Sequence, residues 1–451
     1  MKKIIILCLL LFTSVLLAQE KDIAITVYNN NLALVKDVRK MDIAKGKTEV
    51  EFKDVAASID PTSVHFKSLT DPDAVAILEQ NYEYDLVSSE KILQKYIDQE
   101  IKVYTKQDGP FLGKLLSSAG GNIILQMTEG NLKSISTKSI NNLDFPKLPR
   151  GLITRPTLVW QLDNKKAGSH KTEVSYLASK INWHAEYVAV SKKNDTVLEL
   201  NSWVSIDNKS GATYENAKLK LIAGDVHLAK PQKARPGSKG YVMMAERAAP
   251  AQFEEKEFFE YHLYTLQRRT TLKDNQIKQI SLFPTAETKV NKIYIYNGAR
   301  YKNDVRVNLE FQNSKTAGLG IPLPKGKVRV YKADEADKSL EFVGEDFIDH
   351  TPKDEKVRIY LGNAFDIKGE RIQKSQKRLG DKAREETWEI KLRNHKNTAI
   401  KVTVVENLWG DWEMRNETHP HKKKDANTIE FDVSVAKDGE TVVEYTVLLR
   451  W

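Results

Sequence analysis

Apolar and polar residues alternate along most of this chain. In Ile23-Ala24-Ile25-Thr26-Val27-Tyr28, Lys218-Leu219-Lys220-Leu221-Ile222, Val328-Arg329-Val330-Tyr331, Lys401-Val402-Thr403-Val404-Val405 and Val442-Val443-Glu444-Tyr445-Thr446-Val447, every second position is branched, apolar or aromatic. A period of two puts those residues on one face of an extended strand and the polar ones on the other, which is the pattern of half-buried β-structure. Clusters such as Asp207-Asn208-Lys209-Ser210-Gly211, Asn297-Gly298 and Lys437-Asp438-Gly439 separate the runs and suit tight turns. The pattern predicts a mainly β protein made of antiparallel β-sandwich modules.

Two stretches depart from it. Ser88-Ser89-Glu90 reads as the cap of one short helix, with Ile92, Leu93, Tyr96 and Ile97 on a single face. Short strands follow up to Phe145, including a hairpin over Gly120-Gly121, and the whole of 88–145 fits a small inserted SH3-like barrel. Pro146, Pro149, Gly151 and Pro156 then favour an extended linker, because proline fixes φ and lacks an amide hydrogen. From Lys230 to Phe258, Pro231, Pro236, Gly237, Gly240 and Pro250 with the charged run Glu254-Glu255-Lys256-Glu257 predict a loop. The resulting organisation is an N-terminal β region at 19–87, the barrel at 88–145, a first sandwich module at 146–229, the 230–258 loop and a C-terminal sandwich module at 259–451.

The head of the chain changes the setting. MKKIIILCLLLFTSVLLA, residues 1–18, has two lysines, a short apolar core from Ile4 to Leu17 and a small residue at Ala18, the form of a secretory signal peptide. An apolar run of roughly 14 residues is too short to span a bilayer, which takes about 20. No transmembrane segment is expected in the mature chain. The only cysteine, Cys8, lies inside this leader, so the mature protein is expected to stand without disulfides. Cleavage also removes Lys2 and Lys3 and no acid, which leaves 68 basic against 61 acidic residues and lowers the formal charge from +9 to +7. That mild excess is dispersed among acids and turns, without the basic stripe and interleaved aromatics of a nucleic-acid groove. The compositional reading is an exported protein of the periplasm or cell surface that does not bind nucleic acid.

Several strings carry a resemblance. They are Val27-Tyr28-Asn29-Asn30-Asn31-Leu32-Ala33-Leu34-Val35, Ser175-Tyr176-Leu177 through Asn182-Trp183-His184-Ala185-Glu186-Tyr187, Tyr214 through Val226, Glu260-Tyr261-His262-Leu263-Tyr264, Lys278 through Phe283, Gly320 through Tyr331, and Tyr445 to Trp451. Together, over nearly the whole mature chain, they resemble the domain of unknown function 4139 family. The resemblance implies a secreted β-rich protein with no established activity, and it brings no catalytic residue across. Some relatives are labelled mucoidy-inhibitor-like and carry a long coiled coil before the shared region. This chain has no sustained a/d heptads.

Catalytic signatures are sparse. The chain contains no Gly-x-Ser-x-Gly elbow, no phosphate-binding Gly-x-x-x-x-Gly-Lys-Ser/Thr, no cysteine pair and no His-Glu-x-x-His. Glu345-Asp346 offers two carboxyls, but neighbours on a strand face opposite ways. Asp225, after Gly224, suits a strand end turned toward a cleft, or simply a turn. His184 and His262 sit among aromatics, where an imidazole satisfied by its neighbours is the plainer reading. For a metal, His419-Pro420-His421 with Asp425 or Glu417 is the best pair, against a turn with surface histidines. No cofactor is expected. Of Trp160, Trp183, Trp203, Trp388, Trp409 and Trp412, the pair Trp409 and Trp412 stands out, because Gly410-Asp411 implies a turn on which two indoles share an exposed face for a sugar. The terminal alternation Val443, Tyr445, Val447, Leu449, Trp451 also resembles the last strand of an outer-membrane barrel, but the lysines and glutamates of earlier strands disfavour a lipid-facing band.

The function expected from all this is a non-catalytic binding or structural module acting on an envelope protein or polysaccharide. A carbohydrate-active or other hydrolytic enzyme and a metal-binding envelope protein are the alternatives.

Overall fold

Strands form where the alternation runs, and the burial of their side chains follows the period of two. The computed structural model describes residues 21–85, 87–149, 152–192, 194–224, 226, 253–258, 261–334 and 336–451. Residues 1–20 with Cys8, together with Asp225 and most of the 230–258 stretch, lie outside the described residues. The protein is mainly β, with several mixed sheets, and no sheet closes into a barrel. No helix among the described residues is long and apolar enough to cross a membrane.

The N-terminal lobe packs three sheets around one core. An eight-stranded sheet centred on Asp22–Tyr28, Leu32–Ile43, Gly168–Ser179 and Tyr214–Ala223 faces a five-stranded sheet ordered Gln276–Lys289, Val197–Asn208, Ile181–Lys192, Gly326–Ala333, Leu340–Ile348. A three-stranded sheet of Gly46–Lys53, Thr157–Asn164 and Val75–Glu83 flanks them. Trp160 is buried between Phe52 and Phe66, and Trp183 donates its indole N–H to the Ile222 carbonyl at 3.1 Å. Strands on both sides of the expected 230–258 loop belong to this lobe, since Tyr261–Leu266 pairs with Tyr214–Ala223 and Gln276–Lys289 with Val197–Asn208. Two pairings in this lobe are parallel, Asp22–Tyr28 with Tyr214–Ala223 and Ile181–Lys192 with Gly326–Ala333, and a third, Asn291–Tyr296 with Ile400–Asn407, lies in the C-terminal sheet. Hydropathy alternates identically in parallel and antiparallel strands, so strand direction is invisible to the pattern.

The insert follows the sequence in its helix and hairpin and departs from it in closure. Ser88 caps the helix Ser89–Lys95 by accepting from the Lys91 amide at 3.2 Å, and Tyr96 is buried with Ile101, Val103, Leu115, Ile123, Leu125 and Ile135. The five strands run in the order Ile140–Asp144, Glu100–Thr105, Phe111–Ser117, Asn122–Met127, Leu132–Ser136, and the two outer ones are not paired to each other. The sheet therefore stays open where an SH3-like barrel was expected. Only the 3₁₀ turn Thr137–Ser139 separates the two edge strands in sequence, so the sheet curls to bring its edges near each other without a ladder between them.

A nine-stranded sheet forms the C-terminal lobe. Its strands in chain order are β1 (Asn291–Tyr296), β2 (Asp304–Gln312), β3 (Lys356–Gly380), β4 (Ala383–Asn394), β5 (Ile400–Asn407), β6 (Asp411–Glu417), β7 (His421–Asp425), β8 (Thr428–Val435) and β9 (Gly439–Arg450). They lie side by side as β6-β9-β4-β3-β2-β1-β5-β8-β7. The sheet curls so that its two halves share a core of Tyr296, Val402, Val404, Phe431, Val433, Val443, Tyr445 and Val447, with the Phe431 and Tyr445 rings 5.5 Å apart. The terminal alternation at Val443, Tyr445, Val447 and Leu449 thus faces protein.

Inside that core sits a carboxylate. Glu406 of β5 is 1% exposed; Arg371 of β3 donates to it from Nε at 3.0 Å and from Nη2 at 2.8 Å, and the Tyr445 hydroxyl of β9 donates at 2.6 Å. The guanidinium also lies 3.3 Å from the Trp388 ring centroid. Burial pushes the Tyr445 hydroxyl far above its ordinary pKa, and burial with the charge of Glu406 raises Tyr296 to about 12. Removing one member of such a cluster leaves the others buried without partners. Glu406→Ala is expected to lose about 3 kcal/mol or more of unfolding free energy in urea titrations, and the combined apolar replacement Glu406→Leu, Arg371→Met, Tyr445→Phe to recover most of it.

A second polar joint links the lobes. Asp195 accepts from Ser191 at 2.8 Å, from Lys332 at 2.9 Å and from Lys292 at the start of β1. Burial opposes its charge, but these hydrogen bonds prevail and hold the carboxyl at about 2, below its ordinary 3.8. With the folded pKa lowered, the contribution is complete above the unfolded value and is lost as pH falls through the folded one. Urea titrations across pH 7 to pH 2 should show the parent losing about 1 to 2 kcal/mol between roughly pH 4 and pH 2 that Asp195→Asn lacks at every pH, after allowance for solvent screening.

Candidate functional site

The outer face of the β2-β1-β5-β8 half carries the polar side of the alternation. In β1, Tyr296 points inward and Ile293 and Ile295 outward; the register sets Ile295 opposite Arg306 and Ile293 opposite Asn308. In β5, Val404 and Glu406 point inward, while Val405 and Asn407 point outward. Asn297, read from sequence as part of a tight turn, instead caps a one-turn helix, Gly298–Tyr301, accepting from the Arg300 amide at 3.1 Å. Its other amide group donates to Asn407 Oδ1 at 3.1 Å and ties the helix to β5. A Cβ at Gly298 would stand 2.6 Å from Arg371 Cβ and 2.7 Å from Tyr296 Oη, so this close seat requires glycine.

Helix and sheet enclose a cleft of about 350 Å³. Arg300, Tyr301, Arg306, Asn308, Arg358 and Asn407 line it, with Lys424, Asp425 and Thr428 at the far wall. Some of these charges are satisfied. Arg358 donates to Glu310 from Nε at 3.1 Å and from Nη2 at 2.7 Å, and Lys356 joins the same carboxylate. Burial raises the Glu310 pKa, but those donors outweigh it and leave the carboxyl below its ordinary value. Lys424 pairs with Glu430 at 2.7 Å. Asp425 is held below the ordinary range by the Asn427 amide and by Thr428. It is therefore ionised at neutral pH and has no proton to give.

Arg300 and Arg306 differ from these. Neither has a carboxylate within 4.0 Å among the described residues. The Arg306 guanidinium carbon lies 3.7 Å from the Tyr301 ring centroid and 4.3 Å from that of Tyr360, so two aromatic rings hold the cation. Such stacking orients the cation and leaves its N–H edge as the donor surface. Beside it Asn308 is 5% exposed, and its Nδ2 has no hydrogen-bond partner. A buried amide left unpaired costs free energy, which an acceptor recovers once a small side-chain shift opens the amide to the cleft. Donors of this kind, two uncompensated cations and a buried amide, are suited to a ligand oxyanion.

The residues singled out from sequence lie elsewhere. Trp409 and Trp412 do not share a face. Trp409 is 41% exposed and packs on Trp451, with ring centroids 5.1 Å apart. Trp412 is half-buried, edge-on to His421 at 5.9 Å, and donates to the Ala426 carbonyl at 2.8 Å. His421 contacts Glu417 through Nδ1 at 2.6 Å, while His419 Nδ1 meets the Thr418 hydroxyl at 3.1 Å. No group of three metal-ligating side chains gathers among the described residues. Glu345 is paired with Lys327, and Asp346 accepts from the Tyr360 amide at 2.8 Å, so these carboxyls are engaged separately. His184 lies 3.4 Å from Glu186, and Trp160 and Trp183 are core residues.

Arg300, Arg306 and Asn308 belong to no motif in the sequence. The alternation of Asp304-Val305-Arg306-Val307 places Arg306 on an outward face, but nothing local says that this face is concave or that its cations lack counter-charges. Comparison with known proteins returns no family model that matches the chain and no curated protein that matches it.

Proposed function

We propose that this is an exported binding module of the cell envelope, without catalytic chemistry of its own, that holds the anionic group of its ligand in the cleft between the Gly298–Tyr301 helix and the outer face of β1, β2 and β5. The observation that carries the reading is Arg306, stacked between Tyr301 and Tyr360, without a carboxylate and beside the unpartnered amide of Asn308. The leader-like residues 1–18 support export. The non-catalytic reading is supported by the lining, where the single carboxylate, Asp425, has a lowered pKa. Acid–base cleavage of a sugar needs a second carboxyl kept protonated.

Titration calorimetry with D-galacturonate, inorganic phosphate and neutral D-galactose tests the reading. At least one anion is expected to bind, more weakly as salt rises, and galactose not at all. Arg306→Gln is expected to weaken the anion about tenfold or more, since a charge-assisted hydrogen bond contributes about 1.5–3 kcal/mol. Affinity should change little between roughly pH 5 and pH 9, because a guanidinium stays charged throughout. An Arg306→Gln protein that binds as tightly as the parent, at an unchanged thermal midpoint, removes the reading.

A further inference from the structure

Beyond the cleft, the same strand leads to a second exposed feature. Glu406 is buried, Asn407 lines the cleft, Leu408 returns to the core, and Trp409, two residues past the cleft, is exposed. Two peptide units separate Asn407 from Trp409, so their Cα atoms lie within about 7.6 Å. There Trp409 meets Trp451, itself 51% exposed, at 5.1 Å between centroids and an interplanar angle of 47°. The Arg384 guanidinium carbon stands 4.7 Å from the Trp409 ring centroid and 5.8 Å from that of Trp451. Arg384 is anchored in turn by Glu386 at 2.5 Å, which also accepts from the Trp388 indole.

The local backbone fixes this arrangement. Gly410 has φ +71°, and a Cβ there would come 2.3 Å from the Arg450 carbonyl oxygen. Only glycine lets the loop after β5 press against the end of β9 and bring the two indoles together. Two large aromatic rings are thus held in place while substantially exposed, at the end of the strand that supplies the cleft with Asn407.

We infer that the ligand is an acidic polysaccharide bound at two points, one anionic sugar in the Arg306 cleft and a further sugar of the same chain on the Trp409–Trp451 pair. The inference rests on the anion-binding reading of the cleft and adds the class of molecule that bears the anion. A pyranose has an apolar C–H face that complements an indole ring, and a polyuronate repeats a carboxylate along its length. Such a chain meets a cationic cleft and an adjacent aromatic rim with both of its chemistries. The cations Arg300 and Arg306, which have no carboxylate partner among the described residues, supply the charge complementarity.

The test compares a galacturonate hexamer, the galacturonate monomer and neutral maltohexaose on the full chain, by calorimetry and by tryptophan emission. The parent is expected to bind the hexamer about tenfold or more tighter than the monomer, with a change in emission, and to ignore maltohexaose. Trp409→Ala and Trp451→Ala should each weaken the hexamer about five- to tenfold and leave the monomer unchanged, and Trp409→Phe should restore most of the loss. Equal affinity for hexamer and monomer, or a hexamer affinity untouched by both alanine variants, overturns the polysaccharide inference. In that case a monomer or phosphate response that still depends on Arg306 leaves the cleft reading standing. Binding of phosphate with no binding of either uronate has the same consequence. Loss of all anion binding from the parent overturns both.

Discussion

The C-terminal lobe depends on a charge kept out of water. Glu406, Arg371 and Tyr445 stand on β5, β3 and β9, three strands that are not neighbours in the sheet, and they meet across its interior. A curled sheet of nine strands needs something to define how its two halves face each other. Apolar side chains alone allow slippage, whereas a two-pronged guanidinium–carboxylate contact and a phenolic hydrogen bond allow one geometry. Because the partners are desolvated, any arrangement that separates them is costly.

The clamp also shapes the outer surface. Strand alternation makes β5 present Glu406 to the core and Asn407 to the cleft in consecutive positions. Arg371, which holds Glu406, also lies under Gly298, and Tyr296 fills the same space from the other side. The helix bearing Arg300 and Tyr301 is therefore seated directly on the clamp, and Asn297 bonds it to Asn407. Core and cleft are two faces of one structure, so the orientation of Arg306 between its two tyrosines follows from packing on the opposite side of the sheet.

The two lobes use different means of attachment. Apolar contact runs from the N-terminal core into Leu309, Phe311, Val357 and Ile359 of β2 and β3, so these strands serve both cores. Asp195 adds a polar joint between the ends of Ile181–Lys192 and Gly326–Ala333 and the start of β1. The first contact supplies adhesion, and the second fixes alignment, as short charge-assisted hydrogen bonds do.

The period of two was enough to determine the mainly β class and, in the runs where it is regular, the strands and the faces they bury, because each strand's alternation is a local property. Capping chemistry likewise announced the helix after Ser88. The one-turn helix after Asn297 was missed, since Asn-Gly serves a turn and an N-cap equally well. Parallel pairing, the open edge of the 88–145 insert and the pairing of strands on both sides of 230–258 depend on partners far apart in the chain. The sequence does not encode those partners locally. The same holds for the site. Arg306 is recognisable as an outward residue, but its stacking on Tyr301 and Tyr360 and its lack of a carboxylate exist only once β2, β3 and the helix are assembled. Trp409 was marked by its glycine turn, yet its companion is Trp451 and not Trp412, because the loop crosses to the end of β9. The sequence by itself determined which residues face inward or outward; the tertiary structure decided which outward residues meet, since long-range packing sets concavity and charge pairing.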